Sequence, residues 1–289
     1  MNDTKDEIGE CFAVAAASVP GRSHLLAGRN NQDAFAVGSE GGSLVAVVCD
    51  GCGSGRHSEV GAQLGARLVV TRLFGRLHSG GDPTARELWE EVERDVLFEL
   101  DAVATSLLPA ARRDDPQARA ATVADWLLFT IVGAVVDSRR AVTFAAGDGA
   151  IAVNGQARLL GPFPGNAPPY LGYRLLDSSN PDHLHLAIHH TLATEEVDSL
   201  LLGTDGAAEL EGLAAAGRDR GAERARGLGE LMTDRRFAEH PDALRRQLAL
   251  LARDRVRTEG GRPIREAGLL ADDTTIVLMR RRRHSEVPS

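Results

Sequence analysis

Cysteine is scarce in this chain of 289 residues: Cys11, Cys49 and Cys52 are the only three. An odd count, together with the cytoplasmic setting expected below, speaks against a disulfide framework. Cys49 and Cys52 form a C-x-x-C, a spacing found in redox motifs and in zinc half-sites, but no second pair completes a zinc site and His57 alone does not replace one. Long apolar runs are missing as well. The longest candidate, from Trp126 to Val136, falls short of the ~18–20 residues that span a bilayer. The opening MNDTKDEIGE is polar and acidic, so the expected setting is cytoplasmic with no membrane contact. There is no excess of positive charge: the formal net charge is −8, which argues against a general nucleic-acid binder. The rest of the composition, 43% hydrophobic and 26% charged, is that of a globular protein long enough to bury a substantial core. With no repeat and no linker in view, one domain over 1–289 is expected, its core at about 12–280 and a frayed basic tail at 281–289.

Four short acidic clusters carry most of the information. They are Asp50-Gly51 in VAVVCDGCGSG, Asp148 in FAAGDGA, Asp205-Gly206 in LLLGTDGAAEL and Asp272-Asp273 in ADDTTIVLMRR. Three follow an apolar, strand-like run and the fourth precedes one. Each alone reads as a turn, since Asp-Gly is a common turn signal. A simple hairpin, however, needs polar alternation on its strands, and these runs are nearly all apolar, as in buried strands. Carboxylates brought together at strand ends repel one another unless a cation sits between them, and oxygen donors of this kind suit Mg²⁺ or Mn²⁺.

Along the chain, residues 11–19, 34–37, 43–49, 126–137, 141–148, 150–160, 183–190, 197–205 and 274–279 read as strands, with Asn154-Gly155 as a hairpin turn. Ser58 is a plausible N-cap for a helix ending near Gly80-Gly81, and residues 84–107 form a second amphipathic helix. PAARRDDPQARA reads as a polar loop, 161–169 as irregular, 206–257 as mostly helix with a loose Gly/Arg-rich insertion, and RRRRHSEVPS as a tail. This order of strands, helices, strands, helices and strand is α+β, with helices on the outer faces of two packed sheets.

In that order, NNQDAFAV, CDGCGSGRHSEVGA, AAGDG, GTDG and DDTTIVL resemble the metal-dependent type 2C protein serine/threonine phosphatases. SHLLAGRNNQDA with CDGCGSGRHSEVGAQLGARL is similar to a bacterial subgroup. The resemblance covers about residues 12–280. It implies an αββα sandwich of two antiparallel sheets flanked by helices, with two Mn²⁺ or Mg²⁺ ions between the sheets and a third in bacterial members. It also implies hydrolysis of phosphoserine and phosphothreonine in a protein substrate phosphorylated by a cognate kinase. By position, Asp50 falls on the metal-bridging aspartate, the Gly51 carbonyl on a second-metal ligand, and Asp205 and Asp272 on first-metal carboxylates. Asp148 falls on a third-metal aspartate. Gln32, Asp33 and Asp273 lie behind these ligands; Gln32 stands where many members have an acid, and Asp273, in place of a common asparagine, adds negative charge. The phosphate-gripping arginine would lie at Gly28, which leaves Arg29 as the candidate for substrate binding.

The residues alone point to a similar reaction. Two cations bridged by Asp50 would share a water and lower its pKa toward neutrality, and the hydroxide so formed would attack phosphorus in line. No side-chain nucleophile is needed, and no Cys-x5-Arg loop is present. His57, near the acidic loop, is a candidate proton donor to the leaving oxygen, or else a loop residue that helps cap the following helix. Glu59 sits in that helix's first turn and favours its dipole. His183, His185, His189 and His190 read as an exposed strand face. A non-catalytic phosphoprotein-binding module on the same fold is the competing reading, motivated by Gly28 and Gln32.

Overall fold

A computed structural model of the protein describes residues 7–176, 184–217, 219–220, 223–240 and 242–282. Within these residues two five-stranded antiparallel sheets face each other. One contains β2 (Asp33–Glu40), β3 (Ser43–Asp50), β4 (Ile131–Val136), β5 (Arg140–Ala146) and β8 (Ala187–Ala193), in that spatial order. The other runs β1 (Phe12–Val19), β10 (Thr274–Arg281), β9 (Ser199–Gly203), β6 (Gly149–Val153) and β7 (Gln156–Leu160).

Alternation along each strand explains the unbroken apolar runs. On β3, Leu44, Ala46 and Val48 enter the core between the sheets, while Val45, Val47 and Cys49 pack under the helices Ser58–His78 and Arg86–Leu107. On β9, Leu200 and Leu202 face inward, and Leu201 faces outward toward the helices that carry Leu210, Leu228, Leu244 and Leu248. A strand covered on both faces has no side that must be polar, so its sequence shows no two-residue alternation.

Several boundaries differ from the sequence reading. PAARRDDPQARA is not all loop: Pro116–Trp126 is a helix, capped by the Asp115 carboxylate, which accepts from the Gln117 N–H at 3.0 Å and the Ala118 N–H at 3.1 Å. Residues 126–130 precede β4 rather than belong to it. The strand expected at 183–190 begins at Ala187, and His183 lies outside the described residues. The helical stretch ends earlier than 257, because Arg255–Glu259 and Arg262–Glu266 form a hairpin. The tail starts later than expected. Arg280 and Arg281 pair with Ala13 and Phe12 in the sheet, and the Arg282 N–H donates to the Cys11 carbonyl at 2.7 Å.

Candidate active site

Inward parity carries Asp50 toward the space between the sheets at the end of β3. Its backbone is fixed by Thr130, whose hydroxyl accepts the Asp50 N–H at 3.1 Å and whose own N–H donates to the Asp50 carbonyl at 2.8 Å. The Gly51 N–H donates to the Gln32 carbonyl at 3.0 Å, and the Cys52 N–H to the Leu128 carbonyl at 2.9 Å. Asp33 is the register partner of Asp50 on β2, and the Thr204 hydroxyl from the opposite sheet donates to its Oδ2 at 2.7 Å. Asp148 stands where the chain crosses from β5 in one sheet to β6 in the other. Gly147 (φ 109°) and Gly149 (φ 136°) flank it in conformations that side chains disfavour, and a Cβ at Gly149 would lie 2.5 Å from the Gly203 carbonyl oxygen. Asp205 opens the helix Asp205–Ala215 directly after β9, and Asp272 precedes β10.

These elements meet at one cleft of about 520 Å³, bordered by Asp50, Asp148, Asp205, Asp272 and Gly51. Burial pushes the Asp50 carboxyl well above its ordinary range, and the charges of Asp33, Asp205, Asp272 and Asp148 add to the effect. Burial also raises Asp33 and Asp148, and together with the Asp272 and Asp148 charges it takes Asp205 up to about 7. Two buried carboxylate oxygens, Asp33 Oδ1 and Asp148 Oδ1, have no hydrogen-bond partner. Crowded acids with orphaned oxygens, and no ammonium or guanidinium among the described residues that line the cleft, form a donor set that fits a hard divalent cation.

The other candidates take different places. Gln32 borders the cleft and braces its loop, donating from Nε2 to Ser58 Oγ at 2.6 Å. Asp273 faces away from the open cleft: its two oxygens accept the backbone N–H groups of Gly21 and Gln32 and a ring nitrogen of His24. It therefore ties three segments together behind Asp272. His57 is not among the cleft-lining residues; its ring packs on Trp126 with centroids 4.2 Å apart. Arg29 lies outside the lining too, donating to the Gly53 carbonyl at 3.2 Å and the Gly55 carbonyl at 3.5 Å. Gly28 ends the helix Arg22–Ala27 in the left-handed conformation, φ 65°. Glu59 accepts from Asn30 Nδ2 at 3.0 Å. His185 pairs with Glu93 and His190 with Thr143, away from the cleft. Cys49 is buried beneath the helices while Cys52 lines the cleft, and both thiols are free.

The sequence reading missed His24, Tyr170 and Tyr173, which also line the cleft. The tyrosines come from the segment after β7, whose Pro- and Gly-rich start carries no periodic signal. His24 sits in SHLLAGRNNQDA, a stretch read only for its later residues.

Among the described residues no helix is long and apolar enough to cross a membrane. No curated protein matches the chain. Among solved structures, a bacterial serine phosphatase superposes with a TM-score of 0.52 at 16% identity, covering 94% of this chain and 98% of that one. The serine/threonine phosphatase Stp1 from Staphylococcus aureus superposes with a TM-score of 0.51 at 17% identity, covering 94% and 96%. At these identities the likeness is one of fold. The family model described as protein phosphatase 2C matches residues 20–249, which is most of the chain. With the two-sheet sandwich and its acidic cleft, that match makes this chain a member of the protein phosphatase 2C family.

Proposed function

We propose that this chain is a metal-dependent protein phosphatase that hydrolyses phosphoserine and phosphothreonine in proteins, using Mn²⁺ or Mg²⁺. The observation that carries the reading is the convergence of Asp50, Asp148, Asp205 and Asp272 on one cleft, from both sheets, with an orphaned oxygen on Asp148. In this reading Asp50, the Gly51 carbonyl, Asp205 and Asp272 would hold two divalent ions, and Asp148 would hold a third. Bound divalent cations supply Lewis-acid polarisation of the phosphoryl group and an acidified water. The chain supplies position. Thr130 holds the Asp50 backbone by two hydrogen bonds, and Gln32 and Leu128 hold the loop that follows it. Tyr170 and Tyr173 line the cleft. The partners are a phosphorylated protein and the kinase that makes it, in a bacterial cytoplasm, with the chain acting as one phosphatase domain.

Turnover of p-nitrophenyl phosphate and of a phosphothreonine peptide, with Mn²⁺ and with EDTA, tests the reading. Activity should require the metal, and Asp50→Asn should lower it at least about a hundredfold, on the order of 3 kcal/mol of transition-state stabilisation. Near-normal activity of Asp50→Asn with Mn²⁺ would remove the two-ion assignment. A second reading, a phosphoprotein-binding module without turnover, draws on one observation: no arginine stands among the described residues that line the cleft. Peptide binding without Mn²⁺-dependent turnover would favour it.

A further inference from the structure

Asp273 is a buried carboxylate that the proposed chemistry leaves without a task at the reacting centre. Its side chain is 2% exposed. Oδ1 accepts the Gly21 N–H at 2.7 Å, while Oδ2 accepts the Gln32 N–H at 2.5 Å and meets His24 Nδ1 at 2.7 Å. With backbone donors on both oxygens, this group meets the imidazole as an acceptor. The hydrogen-bond network therefore assigns the proton of the neutral ring to Nδ1 and leaves the lone pair on Nε2.

His24 borders the cleft beside Asp272, and its side chain is 12% exposed. One ring nitrogen of His24 and one carboxylate oxygen from each of Asp272 and Asp273 lie within 4.8 Å of one another, close enough for a shared ion. A carboxylate that grips one imidazole nitrogen and leaves the other free is the usual support of a metal-ligating histidine. Asp273 is already saturated by donors, so its part is orientation. An independent sign of a ligand in the same cleft is the buried Asp148 Oδ1, which no group among the described residues satisfies.

We infer that His24 Nε2 is a nitrogen ligand of the divalent cation held at Asp272, with Asp273 as the positioning carboxylate behind it. The inference rests on the metal-site reading above and adds to its oxygen donors a nitrogen that the acidic motifs do not contain. It has a chemical consequence: an imidazole in the ligand set shifts preference from Mg²⁺ toward Mn²⁺ and later first-row ions, because Mg²⁺ favours oxygen.

The probe is Mn²⁺ itself, added to the full chain. Pulsed electron paramagnetic resonance of the wild-type Mn²⁺ complex should show ¹⁴N coupling from a directly bound imidazole. The coupling should vanish in His24→Ala and persist in His57→Ala. In calorimetric titration, His24→Ala should weaken Mn²⁺ binding at least about tenfold and Mg²⁺ binding distinctly less, and Asp273→Asn should weaken Mn²⁺ about 10–100-fold while keeping the fold by circular dichroism. Mn²⁺ bound by the wild type with no nitrogen coupling overturns the inference, however active the enzyme is, and this measurement needs no variant. Nitrogen coupling in a protein that turns over no phosphoester would keep the inference and defeat the proposed function. Failure to bind Mn²⁺ would defeat both.

Discussion

Arg29 is outside the lining of the cleft, and its Nη2 donates to the Gly53 and Gly55 carbonyls of the loop after Asp50 at 3.2 and 3.5 Å. Arg29→Ala should therefore change KM for p-nitrophenyl phosphate by less than about twofold, the scale of one solvent-exposed hydrogen bond. Steady-state kinetics check this, and a several-fold rise in KM would return Arg29 to the substrate. Restoring an arginine at position 28 meets a backbone obstacle, since φ is 65° there and a side chain costs roughly 1 kcal/mol in that conformation. The acidic residues at this cleft were legible because each stands next to an apolar run that has to be a strand. Asp50, Asp148, Asp205 and Asp272 announce themselves by local pattern. His24 does not, because the residue that gives it meaning, Asp273, is 249 positions away. His57 is the converse case: it is close to Asp50 in sequence, but its ring packs on Trp126 and it is not among the residues that line the cleft.

Side chains hold the segment between β7 and β8 at several described points. It is tied to the helix Arg86–Leu107 by Glu93, a buried carboxylate that accepts from Arg174 at 2.6 Å, His185 at 2.8 Å and the Leu186 N–H at 2.7 Å. Arg119 adds a bond to the Leu175 carbonyl at 2.6 Å. Because this segment carries Tyr170 and Tyr173 into the cleft, Glu93 governs the position of the wall. Glu93→Ala should destabilise the protein by about 2 kcal/mol, since it strands a buried N–H, the Arg174 guanidinium and the His185 ring nitrogen, and Glu93→Gln should cost less. Urea unfolding measures both, and equal midpoints for the alanine variant and the wild type would show that the clamp carries no stability. The strands were readable from apolar runs and the two long helices from their spacing. The Pro116–Trp126 helix was hidden because its polar start resembles a loop until the Asp115 cap is seen in place. Sheet ends were hidden because Arg280 and Arg281 look like tail residues and are instead paired with β1.

For the molecule as a whole, the crowded carboxylates set how stability responds to pH. Asp205 is raised to about 7, and Asp33, Asp50 and Asp148 are raised with it. An acid raised in the folded state binds its proton more tightly there than in the unfolded chain. Its stabilising contribution is complete below the ordinary value near ~4 and is lost as pH climbs through about 7. In EDTA the protein should therefore melt at a higher temperature at pH 5 than at pH 8, and Mn²⁺ should raise the melting temperature more at pH 8. Thermal melts across that range decide it, and a metal-free protein most stable at pH 8 would count against the convergence of acids. The two sheets contribute to the cleft from opposite sides, Asp50 from one and Asp205 and Asp272 from the other, with Asp148 on the crossing between them. An ion there acts as a rivet through one end of the sandwich. β10 is eight residues long and, at about 3.3 Å per residue, carries its Arg281 end roughly 26 Å from that rivet. Deuterium uptake should become lopsided on adding Mn²⁺, slowing at Asp50, Gly203 and Thr274 while Ser43, Ser199 and Arg281 at the other end keep breathing as before.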